Sequence, residues 1–92
     1  MGTKNNPGKF DCYEAAAPDE PMFVLLARDP LAPFLVSLWS KMRFADSEAA
    51  QAVFNKMMHE CLGLYISKPD CDKAREAIDC SLAMFKYQKA RP

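Results

Sequence analysis

The chemistry open to this chain is set by one histidine and four thiols. His59 lies two residues from Cys61, and Cys12, Cys71 and Cys80 complete the cysteines. On a helix, residues two apart point roughly 200° away from each other, so His59 and Cys61 do not readily share one metal ion. No CxxC pair of the kind used by structural zinc sites is present. A nucleophilic cysteine needs a base and an orienting group. The best neighbours of His59 are Glu60 and Cys61 on its own helix, while Cys12 is flanked by Asp11 and Glu14, acids that disfavour a thiolate. The carboxylate pairs Asp19/Glu20 and Asp70/Asp72 precede helical stretches, where acids act as caps. These residue types point to a protein that is not an enzyme, holds no metal or cofactor, and works by binding.

Arg28 is the residue best suited to a ligand. It ends the apolar run Met22–Ala27 and stands just before Asp29-Pro30, an N-cap followed by a proline suited to a first helical position. Its guanidinium is thereby expected beside the amides of Leu31 and Ala32. An arginine at a helix N-terminus is a natural phosphate site. Tyr13 or Trp39, the latter near Lys41 and Arg43, could stack on a planar group. The plainer alternatives stay open: an ion pair from Arg28 to Asp29, Asp19 or Glu20, and partial core burial for Trp39.

These residues must be carried by helices. From Pro30, Leu31, Leu35, Leu38 and Met42 recur at steps of three and four, with Phe34 and Trp39 alongside, which predicts an amphipathic helix of about four turns. Phe44–Ser47 is the connection, with Asp46 or Ser47 capping a second helix. That helix carries Ala50, Phe54, Met57, Cys61 and Leu64 inward, and Gly63 marks a possible close approach of another helix. Pro69 stops it, and a last helix runs from about Cys71 to Lys89 with Cys71, Ala74, Ile78, Leu82 and Phe85 facing inward, joined by Ala77 and Met84. The run Met22–Ala27 reads as helix or strand, with a helical turn from Pro21 preferred because no partner strand is evident. Residues 1–8 read as a flexible tail and residues 9–92 as one domain. The expectation is an all-α fold: a small bundle of about three longer helices with an N-terminal arm and one short helix or extended segment, its core including Leu35, Leu38, Phe54, Met57, Cys61, Ile78, Leu82 and Phe85.

Charge and composition narrow the partners. Twelve basic and twelve acidic side chains cancel, unlike the basic excess of nucleic-acid and membrane-surface binders. Residues 1–31 hold three basic against five acidic groups, and residues 67–92 six basic against four acidic, so an acidic front could meet a basic tail within or between chains. No apolar run approaches the roughly 18–20 residues of a membrane span, and the polar start MGTKNNPG lacks the apolar stretch of a secretory signal. A cytoplasmic protein with reduced cysteines is expected, bound neither to membrane nor to nucleic acid. A 92-residue chain has a modest core, which makes a homo-oligomer a natural expectation.

Between Phe10 and Trp39 the elements Asp11-Cys12-Tyr13, Pro18-Asp19-Glu20-Pro21, Phe23-Val24-Leu25, Arg28-Asp29 and Trp39 form a distinctive string. In it the chain resembles short, uncharacterised accessory proteins encoded by bacteriophages and prophages. The likeness covers about the first 40 residues well and the later helices loosely. It implies a setting in the host cytosol, where accessory proteins of this size often inhibit host nucleases, transcription or immune pathways. Two functions follow as expectations. One is an oligomer that counters host immunity by sequestering a small nucleotide-derived signal, with Arg28 and the Leu31 and Ala32 amides on phosphate and Tyr13 or Trp39 on the base. The other is a protein–protein inhibitor or adaptor that presents its acidic arm or a helix face to a host or phage protein.

Overall fold

In the computed structural model the described residues, 2–9 and 12–90, are helical wherever their structure is regular. Four helices follow one another: α1 (Cys12–Ala15), α2 (Ala32–Arg43), α3 (Ser47–Ser67) and α4 (Cys71–Ala90). The all-α reading and its three longer helices are therefore present. Phe10 and Asp11, which begin the arm and the distinctive string, lie outside the described residues.

Each boundary has a local cause. The Asp46 carboxylate accepts from the Ala49 amide at 3.0 Å and starts α3, while Asp70 accepts from Lys73 N at 3.1 Å and starts α4. Both are side-chain caps of orphan amides. The end of α2 closes through Asp46 N to Lys41 O and Ala45 N to Met42 O, both 3.0 Å, the paired bonds of a Schellman turn. Its left-handed position falls on Ala45, at φ 57°, where glycine is the usual occupant. The start of α2 differs from expectation. The helix begins at Ala32 rather than Pro30, with Leu31 at the N-cap and Pro33 in the first turn. Asp29 caps one step early: its carboxylate turns the chain onto Leu31 N, and its carbonyl takes Ala32 N.

Met22–Leu26 is neither helix nor strand, so the helical turn preferred from Pro21 is absent. Between Pro18 and Pro21 the chain instead makes a turn, in which Glu20 N donates to Ala17 O and Glu20 Oε1 accepts from Ala17 N, both at 3.1 Å. Beyond it the Met22 carbonyl accepts from the Cys80 thiol rather than from a helical amide, so a tertiary contact outweighs the weak local preference for a helical turn.

The described residues fall into two compact units, one within Met1–Phe23 and Ala74–Pro92, the other Val24–Lys73. In the second unit α2 and α3 pack as a helical hairpin around Ala32 and Cys61, the two buried residues, with Leu31, Phe34, Leu35, Leu38, Val53 and Met57 half-buried beside them. In the first, the arm meets α4 through Cys80, whose thiol donates to Met22 O at 3.3 Å, and through Met84, which shares a hollow with Met22 and Phe23.

The expected core needs correction at several positions. Phe54 is 42% exposed, and Ile78, Leu82 and Phe85 are 58%, 56% and 59% exposed. On α4 the half-buried residues are Ala77 and Met84, both expected inward, with Cys80, Ala83 and Tyr87, a set centred roughly 155° around the helix from the Ile78–Leu82–Phe85 stripe. This helix has two apolar faces, and the arm meets the less obvious one. Gly63 makes no close approach either, since a Cβ added there would meet nothing within 4 Å.

Candidate functional site

The Arg28 neighbourhood is organised by Asp29. Its Oδ1 accepts from Leu31 N at 2.9 Å and from the Tyr65 hydroxyl at 3.1 Å, and its carbonyl accepts from Ala32 N at 3.0 Å. Of the two amides expected to receive a phosphate, that of Leu31 is thus engaged by the Asp29 carboxylate and that of Ala32 by the Asp29 backbone carbonyl. Partial loss of hydration at the Tyr65 hydroxyl first, and its hydrogen bond to Asp29 second, hold the phenol above its ordinary value near 10. Arg28 itself is exposed. No ion pair joins it to Asp29, so that alternative is not formed.

The aromatic candidates divide between the units. Tyr13 stands on α1 in the first unit and is 74% exposed. Trp39 stands on α2 in the second, half-exposed, with the Arg43 guanidinium 4.7 Å from its ring centroid. The cation over the indole is therefore the residue one turn along its own helix and not Arg28. Spacing of four residues on a helix was the signal for this pair. The Tyr65–Asp29 contact had no such signal, because its partners are 36 residues apart.

What the second unit does gather is apolar surface. Where α2 turns into α3, Leu38, Met42, Ala45, Ala50 and Phe54 line an open groove of about 510 Å³, with Asp46, Ser47 and Gln51 at its polar edge. Met42 is 67% exposed although it continues the expected inward stripe of α2, and Phe44 beside it is 80% exposed. The mostly apolar lining suits another apolar chain better than a polyanion.

Among the described residues no three histidine, cysteine or acidic side chains gather as a metal site, and no helix is long and apolar enough to cross a membrane. Cys61 is the small buried hydrophobe expected of a thiol, whereas Cys71 is exposed. The fold and surface define a class: a small helical protein with an apolar groove and outward apolar helix faces. Comparison with protein-family models, with curated proteins and with solved structures finds no match.

Proposed function

We propose that this protein is a binding module for another protein, which it holds in the groove between the end of α2 and the start of α3, and that it serves as an inhibitor or adaptor. The observation that carries this reading is the groove itself, lined by Met42 at 67% and Phe54 at 42% exposure, with Phe44 at 80% exposure next to its Ala45 in sequence. Aromatic and methionine side chains are enriched at the centres of protein interfaces and dominate their energetics. The resemblance to phage accessory proteins adds a setting, with a host or phage protein as the partner. Sequestration of a nucleotide-derived signal is the weaker reading, because the Leu31 and Ala32 amides already serve Asp29.

The test begins with tagged protein purified from host cells and continues with the co-purifying protein made separately. Calorimetric titration of the two purified components is expected to give a defined complex. Met42→Glu and Phe44→Ala should each weaken it by about tenfold or more, as loss of an interface anchor does, while Arg28→Ala leaves it unchanged. Failure of the purified pair to associate would overturn the proposal. So would binding of a cyclic or linear nucleotide that Arg28→Ala abolishes, which would restore the sequestering reading.

A further inference from the structure

We infer that α4 pairs with α4 of a second copy of this chain, antiparallel, along its outward apolar stripe. The inference is independent of the groove on the other unit. Cys71, Ala74, Ile78, Leu82 and Phe85 are all exposed, and at 100° per residue they fall within an arc of roughly 80° on one continuous helix. The opposite flank, with Cys80 and Met84, is already engaged by the arm.

The order of residue sizes along the stripe selects the partner. If two copies run antiparallel about Ile78, Phe85 of each faces Cys71 of the other, Leu82 faces Ala74, and Ile78 faces its own copy. Every layer then sets a large side chain against a small one or two branched aliphatics together, which is how facing helices fill space without voids. A parallel pair would stack Phe85 on Phe85 and leave Ala74 against Ala74, crowding one layer and emptying another. The charges agree. The antiparallel register sets the charged flank of one copy along that of the other, with Arg75 of each near Asp79 of its partner and Asp72 near Lys86, whereas a parallel pair sets that flank against the uncharged one that carries Ala77, Ser81 and Gln88. A second copy therefore fits this stripe in charge as well as shape, and in one direction only.

Sedimentation equilibrium of the full chain decides the matter. The wild type is expected at about twice its 10.4 kDa mass at micromolar concentration. Ile78→Glu, which places an unpaired charge on the symmetry axis, should raise the dissociation constant about 100-fold or more while leaving the helical circular dichroism intact. Arg75→Glu alone and Asp79→Arg alone should each weaken the dimer, and the two together in one chain should restore it. Direction is read from Phe85→Cys under oxidised glutathione: the expected disulfide joins position 85 of one copy to Cys71 of the other. A monomeric wild type, a dimer indifferent to Ile78→Glu and to both charge reversals, or a disulfide joining position 85 to position 85 would overturn the inference. A dimer that forms as described while no protein occupies the groove would refute the function proposed above and leave this one standing.

Discussion

Asp29 holds three connections of the second unit in one residue. It caps the entry to α2 through Leu31 N and Ala32 N, and it ties that entry to the end of α3 through Tyr65. Asp29→Ala is expected to destabilise the chain by about 1–2 kcal/mol in urea unfolding, and Asp29→Asn by clearly less, since the amide oxygen still accepts. Tyr65→Phe removes one hydrogen bond and is expected to cost about 0.5–1 kcal/mol. The pH dependence has a definite sign. A phenol held above its ordinary value keeps its proton more firmly in the folded chain, so its contribution is whole below about pH 10 and fades as the pH rises past the folded value. Alkaline unfolding of the wild type above pH 10 should therefore be steeper than that of Tyr65→Phe; identical alkaline curves would detach the phenol from stability. Of this small network the sequence made the Asp29 cap legible, because an Asp before Pro is a local signal. It concealed that the cap consumes the very amides assigned to a ligand, and it concealed Tyr65, because a contact across 36 residues depends on how the hairpin closes.

At the scale of elements, periodicity located α2, α3 and α4 to within a residue or two, and Asp46 and Asp70 located two of their starts. It failed on the inward face of α4 because apolar residues wrap much of that helix. Alanine, cysteine and methionine at positions 77, 80, 83 and 84 form a second face that competes with the more hydrophobic Ile78–Leu82–Phe85 stripe. A hairpin with two buried residues has correspondingly small penalties for truncation. Phe54→Ala, at 42% exposure, should cost about 1–2 kcal/mol rather than the roughly 3–5 kcal/mol of a fully buried phenylalanine. A loss near the larger figure would place Phe54 inside a packed core. Gly63 offers the opposite change. It is in the interior of α3 with open space beside it, so Gly63→Ala should stabilise the chain by about 0.5–1 kcal/mol through helix propensity alone. Destabilisation would mean that another helix does approach there.

Across the whole molecule, apolar side chains outnumber the places the chain has to bury them. Half of its residues are hydrophobic, yet Trp39, Met42, Phe44, Ile78, Leu82 and Phe85 are all at least half exposed. The short length made a partner reasonable from the start, but the surfaces left for one emerge only from which faces α2, α3 and α4 leave uncovered. Hydroxyl-radical footprinting of the chain, alone at concentrations below dimerisation and then with its purified protein partner, tests this most directly. Trp39, Met42 and Phe44 should be modified rapidly in the isolated chain and become protected in the complex, while Met84, half-buried beside the arm, changes little. Slow modification of Trp39, Met42 and Phe44 in the isolated chain, or no protection of them in the complex, would contradict the assignment of this groove as the binding surface.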